Sequence, residues 1–141
     1  MLLFYDGTTE AKSALLRCAS LSLALSAVVD VVTVVDCIGT GAMTGGMLSE
    51  VLVLQLEANA RSALKDAIDE LGMNGIFARG HLVFGHAADA ISQMLELLSA
   101  DLIVVGHRAK TGFARWYGSR PLHLDLLERL KGAMIVTVTA G

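Results

Sequence analysis

The sequence predicts an α/β fold: a three-layer sandwich in which helices cover both faces of a five-stranded, mostly parallel sheet. Apolar runs rich in β-branched residues alternate with stretches of helical period along the whole chain. Strand and helix follow one another in turn, the pattern of parallel strands joined by crossover helices. The composition also suits a buried core, with 54% hydrophobic against 18% charged residues over 141 positions. A chain of that length reads as one domain, 1–141. It buries roughly 68–70% of its unfolded surface and needs neither disulfide nor metal to fold.

Leu2–Tyr5 is the first strand, ended by the turn Asp6-Gly7. Thr8 and Thr9 are caps for a helix with Ala11, Leu15, Cys18, Ala19 and Ser22 on its inward stripe. The valines of Val28–Val35 suit a strand buried on both faces, and Gly39–Gly46 reads as a loop. Leu52, Leu56, Ala60, Leu64, Ala67 and Leu71 recur at helical spacing within Leu48–Leu71, with Gly72 as the stop. Phe77–Phe84 is the third strand, and Ala88–Ser99 is helical through Ile91, Met94, Leu95 and Leu98. The most apolar run, Leu102–Val105, ends at Gly106. Pro121–Lys131 is a helix with its proline in the first turn, and Ala133–Val138 is the last strand.

Several function classes are excluded at this stage. The charge-free runs Cys18–Val29 and Cys37–Ser49 fall short of the 18 or so apolar residues of a membrane span. The start carries no basic region of a secretory signal, and Cys18 and Cys37 have no metal or redox spacing; the expectation is a cytoplasmic protein with reduced thiols. A net charge of −3 and 5% aromatics argue against nucleic acid as a partner. His81, His86, His107 and His123 lack the spacing of a metal cluster. No nucleophile–base–orienter set appears, so no catalytic residue is assigned and at most a slow ATPase is expected. The glycines of Gly39–Gly46 lack the GK[ST] ending of a phosphate loop.

Ligands of such folds sit beyond the carboxyl ends of the strands, which points to the loops after Tyr5, Val35 and Val105. Arg108, Lys110, Arg115 and Arg120 fall close together, and no acid occurs from Leu102 to Leu124. Such a loop suits an anion, with Gly106, Gly112 and Gly118 allowing close backbone approach and Ser119 offering a hydroxyl at a helix start. Equally, its arginines suit acids of a partner subunit.

These segments resemble the universal stress protein family along nearly the whole chain. Tyr5-Asp6-Gly7-Thr8 is similar to the family's opening YDGS turn, Val32–Asp36 to its second strand, Asp101–Arg108 to its DLIVVGSRG signature, and Gly118-Ser119 to its closing Gly-Ser. The resemblance implies a Rossmann-like nucleotide-binding fold of the α-hydrolase type with strand order 3-2-1-4-5. It also implies a stress-response sensor or regulator that binds ATP or another adenine nucleotide, with or without Mg. The implied contacts are Tyr5, Asp6, Gly7, Val34, Gly106, Arg108, Ala109, Gly112, Gly118, Ser119 and Arg120, with Asp6 at the ribose and Val34 at the adenine. Three departures stand out. Ala109 replaces the second loop glycine, eight rather than nine residues separate it from Gly118, and Pro121 has no amide proton to donate. The other implied reading is therefore a member that holds no nucleotide and meets a protein partner. The resemblance further implies a homodimer through the last strand, Ile135, Val136, Thr137 and Val138, whose apolar edge a second copy would cover.

Overall fold

A computed structural model describes residues 1–37, 43–44, 47–48, 50–110 and 120–140, with backbone alone at 43, 44, 47 and 48. Its elements run β1 (Leu2–Phe4), α1 (Thr9–Leu25), β2 (Val29–Val35), β3 (Met43–Thr44), β4 (Met47–Leu48), α2 (Glu50–Met73), β5 (Ala78–Phe84), α3 (Ala87–Leu97), β6 (Leu102–Arg108), α4 (Leu122–Arg129) and β7 (Met134–Ala140). The large sheet has the order β5-β2-β1-β6-β7, and all its neighbours are parallel. This is the expected 3-2-1-4-5, once the two short strands β3 and β4 are set aside. Those two pair antiparallel, β3 within the stretch Gly39–Gly46 expected to be a loop and β4 just after it, with Leu48 where the second helix was expected to begin.

Period-2 alternation divides the core between the two faces. Leu3, Tyr5, Val29, Val31 and Val104 pack on one side with Ala11, Leu15, Cys18, Ala67 and Leu71 of α1 and α2. Leu2, Val32, Ile103 and Val105 pack on the other with Ile91, Met94 and Leu95 of α3 and Leu126 of α4. Thr8 caps α1 as expected, its hydroxyl accepting from the Ala11 amide at 3.2 Å. The buried stripe of that helix is the expected one with Ala14 added. Burial pushes the Cys18 thiol up to about 11, so it is an inert core group.

Three expectations change. The helix α2 runs past Gly72, and the left-handed residue after it is Gly75, φ 78°; an ordinary helical glycine does not end a helix. Only Ala60, Ala67 and Leu71 of its stripe are buried, while Leu52 is exposed. Likewise β6 does not stop at Gly106 but pairs with β7 through Arg108↔Ala140. No helix among the described residues is long and apolar enough to cross a membrane.

Candidate functional site

The chain winds outward from β1 in both directions, first to β2 and β5 and later to β6 and β7. The order therefore reverses between β1 and β6, where the loops part and leave a crevice. A cleft of about 770 Å³ occupies this place, lined by Asp6 and Glu10, by His86 and Ala87, by Gly106–Lys110, and by Arg120, Pro121, Leu122 and Asp125. It has the size of an ordinary small-molecule site. The starts of α1, α3 and α4 all open onto it, so the amino ends of three helices lie near its walls.

Local chemistry sets each wall. Asp6 Oδ1 accepts from the Thr8 amide (3.1 Å) and the Thr8 hydroxyl (2.6 Å), which with Gly7 at φ 80° turns the chain from β1 into α1. Gly106 is there for a reason other than ligand approach. A Cβ on it would lie 2.2 Å from the Glu10 carbonyl oxygen and 2.8 Å from the Ala11 nitrogen. The missing side chain thus lets the first turn of α1 lie directly on β6. His107 and His123 meet edge to face with centroids 4.5 Å apart. Burial, and then the neighbouring His107, push the His123 pKa down. At the start of α3, His86 Nδ1 lies 3.3 Å from Asp36 Oδ2.

The basic residues differ in their engagements. Arg120 grips Glu128 through two bonds of 2.6 and 2.9 Å and stands 3.5 Å from Asp125. Its charge is already answered within α4, so it frames the cleft rather than offering an open cation. Arg108 makes no ion pair among the described residues and stands exposed at the mouth. The carboxylates Glu10 and Asp125, which are not among the implied contacts, join Asp6 in the lining. Placing the first turns of α1 and α4 at the carboxyl end of the sheet is the signal that would have found them.

The implied contacts separate accordingly. Asp6, Gly106, Arg108, Ala109 and Arg120 come together in the cleft. Gly7 shapes the turn beside it, and Val34 lies half-buried on the α3–α4 face. Tyr5 does not join them. Its position in the strand, two after Leu3, sends its ring to the opposite face beneath α1 and α2. Gly112, Gly118 and Ser119, with Arg115, Trp116 and Tyr117, lie outside the described residues, as do the side chains of Met43 and Met47. No group of three His, Cys, Asp or Glu suited to a metal occurs among the described residues.

The family model described as the Universal stress protein family matches residues 1–119. The chain belongs to the universal stress protein family. Solved universal stress proteins share its fold at low identity. One, from Burkholderia pseudomallei, is 22% identical at TM-score 0.74, covering 99% of this chain and 94% of that one. A second, from Archaeoglobus fulgidus in complex with dAMP, is 16% identical at TM-score 0.66, with coverage of 97% and 94%. A third, from Arabidopsis thaliana with AMP bound, is 12% identical at TM-score 0.67, with coverage of 99% and 90%. No curated protein matches the chain. Universal stress proteins of this architecture thus include members that hold adenine nucleotides, and this one has its cleft where the strand order reverses.

Proposed function

We propose that this universal stress protein binds an adenine nucleotide, ATP or a shorter relative, in the cleft between β1 and β6 and acts as a cytoplasmic sensor or regulator without efficient turnover. The observation that carries the reading is the cleft itself. It has nucleotide size, stands at the switch point, and is bordered by Asp6 on one side and Arg108 and Lys110 on the other. Structural relatives with AMP and dAMP share this fold. A carboxylate at the β1 end suits ribose hydroxyls, and the cationic side chains of Arg108 and Lys110 at the β6 end suit phosphate. Glu10 and Asp125 lower the positive potential there, which favours a nucleotide of few phosphates over a triphosphate.

Calorimetric titration with ATP, ADP and AMP tests it. Saturable binding is expected, weakened about tenfold in Arg108→Gln, a loss of roughly 1.4 kcal/mol. Absence of binding by all three would overturn the reading in favour of a nucleotide-free module that meets a protein partner. The proposal includes a homodimer. Among the described residues the strand β7 is a sheet edge paired on one side alone, with Ile135, Val136 and Val138 half-buried, and an antiparallel copy would satisfy its outer backbone groups. Light scattering is expected to give twice the chain mass, and a monomer mass at every concentration would refute this part.

A further inference from the structure

The face beneath α1 and α2 holds a second cavity, about 420 Å³, away from the nucleotide cleft. Among the described residues its walls are Tyr5 from the end of β1, Lys12, Leu15 and Leu16 from α1, and Asp66 and Glu70 from α2. Tyr5 is 4% exposed; its main-chain amide donates to the Val32 carbonyl at 3.0 Å and its carbonyl accepts from Thr33 Oγ1 at 2.9 Å, while its hydroxyl makes no hydrogen bond among the described residues. No buried side-chain oxygen lacks a partner among the described residues, so the unpaired hydroxyl is the part of Tyr5 that reaches the cavity. Burial raises the Tyr5 pKa, and the charges of Asp66, Asp6 and Glu70 raise it further, so both α2 carboxylates act on the hydroxyl.

The two acids are themselves unusual on their helix. Elsewhere on α2, Glu57 pairs with Arg61 and Asp69 with Lys65 one turn away. Asp66 and Glu70, also one turn apart, form no ion pair among the described residues, and neither does Lys12 across from them. Their three formal charges sum to −1, so one added positive charge balances the cavity. Leu15 and Leu16 supply an apolar strip beside the charges.

From this arrangement we infer that the cavity is a binding site for a small primary aliphatic amine. Its ammonium donates to the Asp66 and Glu70 carboxylates and to the phenolic oxygen of Tyr5, and its alkyl tail lies on Leu15 and Leu16. Lys12, at the rim, disfavours a second positive charge and so selects a monoamine over a diamine. The site shares no residue with the nucleotide cleft and does not depend on it.

The test is an NMR titration of the full chain with n-butylammonium, with butyrate as the anionic control and butane-1,4-diammonium as the dication. Saturable shifts are expected at Leu15, Leu16, Asp66 and Glu70 for the monoamine and none for butyrate. Tyr5→Phe keeps the ring and is expected to weaken binding about fivefold to tenfold with an unchanged circular-dichroism spectrum. The double variant Asp66→Asn, Glu70→Gln is expected to abolish saturation while leaving nucleotide titration as in the wild type. Lys12→Gln is expected to narrow the preference for the monoamine over the dication. Non-saturating shifts, or equal affinity in the wild type and Tyr5→Phe, would reduce the acids to a solvated pair and overturn the inference.

Discussion

Replacing Gly106 by alanine probes the packing that shapes the cleft. The added Cβ would meet the Glu10 carbonyl oxygen at 2.2 Å, the Glu10 carbonyl carbon at 2.4 Å and the Ala11 nitrogen at 2.8 Å, whereas ordinary contact begins near 3.4 Å. All three obstacles are backbone atoms of the α1 first turn, so no rotamer change relieves them. The helix start must retreat by about 1.2 Å, or β6 must bend away from it. Overpacking of this kind costs roughly 1–3 kcal/mol, and a backbone obstacle puts this case near the upper end. At about 3–5 °C per kcal/mol for a chain of this length, melting should fall by roughly 10 °C. Thermal unfolding followed by circular dichroism reads this directly. Gly72→Ala is the matched control: it lies within α2 with nothing inside 4 Å of its new Cβ and should gain about 0.5–1 kcal/mol. A Gly106→Ala protein that melts with the wild type but loses nucleotide would refute the reasoning. The glycine would then serve the ligand and not the helix.

Two further outcomes concern charged groups. Asp30, buried at the amino end of β2, receives two 2.8 Å bonds from Arg79 and lies 2.9 Å from His81 Nε2. Burial would raise its carboxyl, but the bonds from Arg79 and His81 outweigh burial and hold it below the usual range. Its stabilisation is therefore full above an ordinary aspartate pKa near 3.9 and is lost as pH falls through the lower folded value. Asp30→Asn should cost about 1–3 kcal/mol in urea unfolding at neutral pH and flatten the acid limb; an unchanged acid limb would contradict this. His123 acts with the same sign at higher pH. Its folded pKa lies below 6.5, so the unfolded chain takes up the proton first and stability falls as pH drops below about 6.5. The slope from one such group reaches at most about 1.4 kcal/mol per pH unit. His123→Gln should remove that component between pH 7.5 and 5.5, and identical slopes in both proteins would count against it.

The strands were legible because β-branched runs such as Val28–Val35 leave little else for the backbone to do, and α1 because its cap and stripe agree. The first turns of α2 were legible as helix but not their exposure. Leu52 and Leu56 keep the helical period, but a period shows that an apolar face exists and not what covers it. The same limit applies to glycine. Gly72 and Gly75 stand three apart, and only the backbone tells which one turns left-handed. Gly106 fits a phosphate signature by residue type, while its actual neighbour, the first turn of α1, lies almost a hundred residues earlier in the chain. The Asp30–Arg79–His81 cluster depends on the register Asp30↔Arg79 between strands, which no local pattern contains. Tyr5 was within reach of sequence reasoning: alternation from the buried Leu3 already directs it away from the cleft.

The most direct test of the account is the nucleotide content of the protein purified without added ligand, followed by titration of the stripped protein with AMP and ATP. The account predicts an adenine nucleotide released on denaturation, identifiable by mass, and saturable rebinding that Arg108→Gln weakens. A protein that emerges free of nucleotide and gives no heat with either compound would contradict it.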